Sequence, residues 1–275
     1  MSYKKLLVFF ILFSPTSIFA YSTTTAKQGD VSFFEMSDEC KKANIKIPKL
    51  GTFPVINFQK KNLLVVPIDI NNATGTFIIS SCGSNTDQSL IVSSRLKDTK
   101  IFVIPNNKGG DTVKNANKIK REIGNDARIF DKIFSNKKQF WLDPFMFPVK
   151  EPVITDTYGY VRSSQGVEVS HKGTDFKAEI GTPVYSMNKG VVRYIGVLPS
   201  YGKTIIIDHG HGIQTVYLHL SKIFVKNGAL VEKGRLIGNS GNTGFVDGAH
   251  LHISIRVSGI SIDPESFMKV LGEKK

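Results

Sequence analysis

The sequence is poor in cysteine, contains no low-complexity tract, and has a single long apolar run, which lies near its start. A metal site made from its two cysteines alone is implausible. With 41% hydrophobic and 21% charged residues, the composition excludes wholesale disorder and leaves enough apolar side chains for a core. No second membrane span and no nucleic-acid motif can be found, so no nucleic-acid partner is predicted.

The first twenty residues have the pattern of a secretory signal peptide. Lys4 and Lys5 precede the apolar run 6–13, which is too short to span a bilayer, and Ala20 ends the segment. Residues 1–20 are therefore predicted to direct export to the periplasm or cell envelope. An uncleaved membrane anchor is the alternative.

Export would place the two cysteines in an oxidising compartment. Cys40 and Cys82 both lie in the first half of the chain, and an exported pair can form a disulfide. Closing that loop would stabilise the fold by roughly 3–4 kcal/mol on the chain-entropy estimate. Two unpaired thiols are the alternative.

The chain is strongly basic. The formal charge of +13 becomes +11 when Lys4 and Lys5 are removed (13 − 2). Further basic residues cluster at 114–121, which favours contact with an anionic envelope surface; a solvated face that aids solubility explains them equally well. The oligomeric state is left open.

The strand and helix patterns predict a mostly β protein in three parts. Residues 21–108 have short strand patterns separated by turns, typical of a small β-sandwich-like domain. Residues 109–140 have helical spacing interrupted by Gly124, which indicates two short helices or a helical linker. Residues 141–275 form the third part, a glycine-rich antiparallel β domain with a hairpin around Gly210-His211-Gly212.

All six histidines fall in the third part, between residues 171 and 252. Histidine is the commonest zinc ligand, so this concentration in an exported protein predicts a metal site. The six are His171, His209, His211, His219, His250 and His252.

Two strand patterns bring histidines to one face. In 250–257, His250 and His252 alternate with apolar residues and should face a common groove; two histidines on a wet face are the alternative. In 214–220, Tyr217 and His219 share a face, with Val216, Leu218 and Leu220 opposite. We therefore expect Tyr217 and His219 on the groove side and the apolar three in the core.

His171 and Asp175 are four residues apart. An extended strand would separate them by about 13 Å, too far to share a metal. A helix is disfavoured by Gly173 and its neighbours. We therefore expect a bend at Gly173, with His171 just before a strand and Asp175 at its beginning.

The order His171-x-x-x-Asp175, Tyr-Leu-His219-Leu and His250-x-His252 resembles the lysostaphin/LytM family of zinc metallopeptidases. The surrounding Gly-Thr-Asp-Phe and Gly-Thr-Pro-Val segments are also similar, and the match covers about residues 148–268. The first domain is more weakly similar to the N-terminal β domains of some Gram-negative members. The resemblance implies a peptidoglycan endopeptidase or carboxypeptidase.

The resemblance implies one zinc ion per chain, with His171, Asp175 and His252 as ligands and His219 and His250 as the catalytic pair. Spacing alone does not choose between His250 and His252 as the ligand. The family's Ser-x-Phe-Gly-x-Arg segment has one extra residue here, so the role of Arg162 stays open. His209 and His211 receive no catalytic role.

The implied function is zinc-dependent hydrolysis of stem or cross-link peptides of peptidoglycan. A catalytically silent regulator of another wall hydrolase is one alternative. A metal-sequestering or wall-binding module without turnover is another.

Overall fold

A computed structural model of the protein describes residues 23–72, 74–80, 82, 87–104, 106–133 and 135–274. The predicted signal peptide lies outside the described residues. Among the residues the structure describes, no helix has the length and apolar character needed to cross a membrane.

The first part of the chain forms two small sheets that share one core. On the strand Lys61–Pro67, Leu64 and Val66 face this core. Leu63 and Val65, on the other face of that strand, enter the core of the second part. Because both faces are buried, the sequence of this strand is a continuous apolar run. The sheets have the orders β2-β5-β4-β3 and β1-β7-β6. The strands are β1 (Thr23–Lys27), β2 (Val31–Met36), β3 (Asn44–Ile47), β4 (Gly51–Phe58), β5 (Lys61–Pro67), β6 (Gly75–Ile79) and β7 (Gln88–Ser93).

The second part is built around a large, mainly antiparallel sheet of order β18-β14-β15-β16-β20-β12-β9, with β21 paired to β20. Its elements are β8 (Thr99–Ile101), α1 (Val113–Asp131), β9 (Ile154–Asp156), β10 (Val161–Ser164), β11 (Val167–Ser170), β12 (Thr174–Lys177), β13 (Pro183–Tyr185), β14 (Gly190–Leu198), β15 (Gly202–Gly210), β16 (Ile213–Leu220), β17 (Lys222–Ile223), β18 (Leu230–Val231), β19 (Leu236–Asn239), β20 (His250–Val257), β21 (Ile260–Ile262) and α2 (Pro264–Leu271). The mostly β prediction is confirmed, including the hairpin that joins β15 to β16.

The predicted helical segment is one helix. Thr112 caps its start by accepting a hydrogen bond from the Asn115 backbone N–H, and the helix runs through Gly124 without a break. The expectation of two short helices is therefore wrong, because tertiary packing outweighs the roughly 1 kcal/mol that a helical glycine costs. α1 packs against the second part through Phe130, which is buried with Leu198, Ile206 and Val216.

Cys40 and Cys82 form a disulfide, with their Cα atoms 5.2 Å apart. The bond ties the turn Asp38–Cys40 to the chain that follows β6. Because it closes a loop with a sequence separation of 42 residues, it restricts the unfolded chain more than the folded one.

The disulfide gives the first prediction. Protein prepared in an oxidising compartment should gain the mass of two hydrogens on reduction, and its free energy of unfolding should fall by roughly 3–4 kcal/mol. Intact mass spectrometry and urea unfolding with and without reductant measure both. An unchanged mass, together with two thiols alkylated before reduction, would contradict the pairing.

Candidate metal centre

Three side chains from three segments meet at one point on the large sheet. Asp175 on β12 lies directly opposite His252 on β20 in the antiparallel register, and His171 precedes β12. His252 Nδ1 is 2.7 Å from Asp175 Oδ1, and His171 Nε2 is 3.1 Å from each of those two atoms. Tetrahedral ligand atoms bound at about 2.0–2.1 Å from one metal would be about 3.4 Å apart. The three side chains therefore match the spacing of a shared ion.

A bend at Gly173 brings His171 back to Asp175, as the sequence predicts. A Cβ atom at Gly173 would lie 2.2 Å from His252 Nε2 and 2.5 Å from the backbone oxygen of Ile253. Only glycine lets the backbone pass this close to β20. His171 lies just before the strand and Asp175 near its beginning, so that expectation is confirmed.

Hydrogen bonds orient both histidine rings toward the centre. His171 Nδ1 donates to the backbone oxygen of Thr157 (2.8 Å), which leaves the Nε2 lone pair facing inward. The Ser254 hydroxyl donates to the backbone oxygen of Lys172, so it can only accept from His252 Nε2 at 3.1 Å. His252 Nδ1 then carries the free lone pair. The donor set of two neutral histidines and one carboxylate fits a catalytic metal site.

The protonation states agree with this reading. Burial lowers the pKa of His252 to about 4, which keeps it neutral near pH 7. For Asp175, burial alone would raise the pKa, but its close contacts with His252 and His171 hold it well below the usual value. Both groups are therefore in the form that a metal ion requires.

Arg162 lies on the outer side of the same carboxylate. Its Nη2 is 3.5 Å from Asp175 Oδ2, and its Nε donates to the Tyr160 hydroxyl at 2.6 Å. The Tyr160 ring in turn packs against His171, with the ring centroids 4.7 Å apart. The arginine thus contacts one oxygen of Asp175 and leaves the other for the centre, despite the extra residue in its segment.

His219 and His250 lie beside the three candidate ligand residues. Their ring centroids are 5.0 Å apart, and His250 Nε2 is 3.8 Å from Asp175 Oδ1. Each Nδ1 faces a backbone oxygen, that of Thr243 for His219 (2.9 Å) and that of Gly248 for His250 (3.0 Å). Because a carbonyl only accepts, each neutral ring keeps its Nε2 lone pair free. Burial and the neighbouring histidines also lower the pKa of His219 well below its usual value.

On β16, the expected positions of His219 in the cleft and Leu220 in the main core are confirmed, but the expected face of Tyr217 and that of Val216 and Leu218 are wrong. Leu218 pairs with His252, so it lies on the cleft face, whereas Tyr217 pairs with Ile253 and enters the main core. Strict alternation would turn His219 into the core as well. His219 instead has φ of +60°, and the strand pairing shifts register there, which redirects the side chain into the cleft. The sequence contains no clear signal of this bulge.

The two remaining histidines lie elsewhere. His211 occupies the β15–β16 turn with φ of +49°. His209 is fully buried, with Nδ1 at 2.9 Å from the backbone oxygen of Lys189 and Nε2 at 2.8 Å from the Thr215 hydroxyl. It supports the core behind the site, and burial lowers its pKa to about 4.

The buried His209 predicts how stability depends on pH. Its folded pKa of about 4 lies below the ordinary value of 6.5, so the unfolded chain binds the extra proton between these pH values. Stability from this group is complete above pH 6.5 and is lost as the pH falls toward 4. Between pH 7 and 5 the loss should be about 2 kcal/mol. Urea unfolding should show this extra loss in the parental protein relative to His209→Gln; equal slopes against pH would contradict it.

Comparison with known proteins agrees with this geometry. Residues 169–264, which contain all five candidate site residues, match the model of peptidase family M23. The chain carries an M23 peptidase domain. The resemblance to lysostaphin/LytM-type peptidases is thereby confirmed.

Curated relatives match about a third of the chain. The chain is 52% identical over 89 residues to the peptidoglycan DD-endopeptidase ShyA of Vibrio cholerae, covering 32% of this chain and 21% of that protein. It is 38% identical over 96 residues to the DD-carboxypeptidase/endopeptidase Mpg of Neisseria meningitidis, covering 35% and 22%. The matched region thus spans about a fifth of each relative's length.

The whole fold has a counterpart as well. A crystal structure from Pseudomonas aeruginosa, described as that of a peptidase M23 candidate, superposes with a TM-score of 0.62. The superposition covers 90% of this chain and 95% of that one, at 23% sequence identity. It shows that the first part and the M23 domain recur together as one fold.

Proposed function

We propose that the protein is a zinc metallopeptidase that hydrolyses peptide bonds in the stem or cross-link peptides of bacterial peptidoglycan. The observation that carries the proposal is the convergence of His171, Asp175 and His252 beside two further histidines with free Nε2 atoms. These three would hold one zinc ion per chain. Zinc bound there would act as a Lewis acid on the scissile carbonyl and lower the pKa of a water molecule.

His219 and His250 would carry out the proton transfers of the reaction. His219 and His250 keep Nδ1–H on backbone oxygens, so each offers Nε2 to the cleft. One would accept the proton of the attacking water at Nε2 as general base. The other, when its Nε2 is also protonated, would donate a hydrogen bond to the developing oxyanion and pass its proton to the leaving amine. Arg162 keeps Asp175 oriented from outside.

The relatives support the proposed substrate and location. ShyA and Mpg are named for action on peptidoglycan or for DD-peptidase activity. A wall substrate requires export, which agrees with the predicted signal peptide at residues 1–20 and with a periplasmic or envelope location. Residues 21–108 would form the N-terminal domain, 109–140 the linker and 141–275 the catalytic domain. The basic helix α1 would face anionic envelope polymers.

Digestion of purified peptidoglycan tests the proposal. Mass spectrometry of fragments released by the zinc-loaded protein should show cleaved peptide bonds and intact glycan bonds. A chelator should stop release and added zinc should restore it. Binding to the wall without fragment release, at full zinc occupancy, would instead support the silent regulator.

A further inference from the structure

The cleft over the candidate metal centre is covered by the protein's own chain. His171, His219 and His252 line it, together with residues of the β10–β11 hairpin and with Tyr201 and Phe245. A cavity of ≈ 100 Å³ remains there. Pockets that bind drug-sized ligands typically have volumes of about 300–1,000 Å³. The cavity has room for water molecules and not for an extended peptide.

The cover is the segment comprising residues 98–104 and 106–131, called the strap below. It consists of β8, the turn Asn106–Lys108 and helix α1. Phe102 and Ile104 line the cavity from the first half of the strap, and Ala116, Ile119 and Ile123 line it from the helix.

The first half of the strap lies on the peptidase hairpin as an added strand. β8 pairs in parallel with β10, with Lys100 opposite Arg162. Backbone hydrogen bonds extend the pairing at both ends, from Val161 N to Asp98 O and from Phe102 N to Ser163 O, each 2.8 Å long. Arg162 also contacts Asp175, so the edge that β8 occupies runs beside a candidate metal ligand.

The strap then crosses to the other residues that line the cavity. The Phe102 ring meets Phe245 edge-on at 5.6 Å, and Lys108 Nζ donates to the backbone oxygen of Gly244 at 3.1 Å. Asp126 on α1 accepts a hydrogen bond from the Ser200 backbone N–H at 2.8 Å. Both sides of the cleft are therefore joined by one segment.

The two ends of the strap are held with different strength. The C-terminal end of α1 is anchored by the buried Phe130, which stacks on Tyr201, and by an ion pair between Asp131 and Arg256. The β8 end buries little, because all three of its side chains are exposed and Ile101 is 81% accessible. Backbone hydrogen bonds hold β8, together with the Lys100 side chain, which pairs with Asp156 and lies over the Tyr160 ring. An extended peptide can supply the same backbone bonds.

We propose that the edge of β10 now paired with β8 is the peptide-binding edge of the cleft, and that the strap occupies it as an internal competitor. An extended wall peptide would replace β8 along β10 while the strap swings away about its anchored end at Phe130. This inference rests on the proposed function, since it names the site where that substrate's backbone binds. The apparent affinity for peptide falls in proportion to the fraction of molecules in which the strap is open.

Variants of α1 test the competition. Ile119→Glu with Ile123→Glu places two carboxylates on the cavity-lining face. Asn117→Glu with Asn125→Glu is the matched control, because it makes the same charge change at exposed positions of the same helix. With the zinc-loaded full chain and a soluble cross-linked wall peptide, the first pair should raise kcat/KM about tenfold or more, mainly through KM.

Parental kcat/KM in both pairs would overturn the proposal. Phe102→Ala, which weakens the contact with Phe245 without touching α1, serves as a second opening variant if the glutamate pair does not fold. It should also raise kcat/KM, by a smaller factor; a decrease in either folded variant would contradict the competition.

The rate of trypsin cleavage of an inactive variant tests the strap proposal independently of the proposed peptidase activity. In a His250→Ala background, trypsin should cut at Lys100 and Lys108 faster as the wall peptide is added, because the peptide displaces the strap. Saturating peptide that leaves the cutting rate unchanged would overturn the strap proposal alone. Displacement of the strap with no hydrolysis by any His250-containing variant would overturn the hydrolytic proposal alone. Failure of the opened variants to bind peptide would contradict both.

Discussion

Asp175→Ala is expected to abolish metal binding and, with it, peptide hydrolysis. Asp175 Oδ1 lies within 3.1 Å of the inward nitrogens of both His171 and His252, so its loss removes one of the three proposed ligand atoms and the only negative charge among them. Residues that merely orient ligands are worth about 10–100-fold in metal affinity, so a ligand itself should be worth about 10³-fold or more. Zinc content after dialysis and hydrolysis of wall peptide measure the two effects.

The matched control for this change is Asp156→Ala. Asp156 lies on β9 opposite Asp175 in the sheet, but its carboxylate pairs with Lys100 and is not one of the three groups that converge at the centre. It should keep one zinc per chain. Full zinc occupancy in Asp175→Ala, with the β fold intact by circular dichroism, would show that the ligand set is wrong.

His219→Ala and His250→Ala are expected to retain zinc and lose turnover. Neither side chain is needed to complete the three-residue ligand set, yet both present Nε2 to the cleft. Loss of a positioned proton-transfer group typically costs about 10²–10⁴ in rate, and loss of an oxyanion donor costs a similar factor. The kcat of each variant at measured zinc occupancy gives the effect.

The pH profiles of these variants distinguish the two roles. Removing the general base should abolish the acidic limb of kcat/KM, whereas removing the oxyanion donor should lower the profile without changing that limb. His211→Asn is the control, because it changes a histidine at a turn where asparagine tolerates the positive φ. Parental rates in both active-site variants would exclude the catalytic pair. Loss of zinc in both would make them ligands or structural supports.

The sequence predicts the site better than it predicts what surrounds the site. The bend between His171 and Asp175 follows from strand length and the presence of Gly173, both of which are local properties. The choice of His252 over His250 as the inward ligand depends on register, because only His252 lies opposite Asp175 on the neighbouring strand. Strand pairing joins residues far apart in sequence, so spacing alone left that choice open and the resemblance made it.

Helix α1 shows where local reasoning fails. Its apolar residues were visible at helical spacing, which indicated a face that needs a partner, but not which partner. Arg256 lies on the same strand as His252, and it is buried against α1, where it pairs with Asp131. The covering of the cleft depends on contacts such as Asp126 with Ser200, which are 74 residues apart in the chain. No local pattern encodes contacts of that kind.

Titration of the metal-free protein with zinc tests the central claim most directly. Hydrolysis of a defined cross-linked wall peptide is followed as zinc is added, for the parental chain and for the Ile119→Glu, Ile123→Glu variant. The rate should rise linearly with added zinc and level off at about one zinc per chain, because the proposed site holds one ion. At subsaturating peptide, the variant should level off at a higher rate than the parental chain. Hydrolysis by metal-free protein, or no hydrolysis by either protein at full zinc occupancy, would contradict a zinc peptidase built on His171, Asp175 and His252.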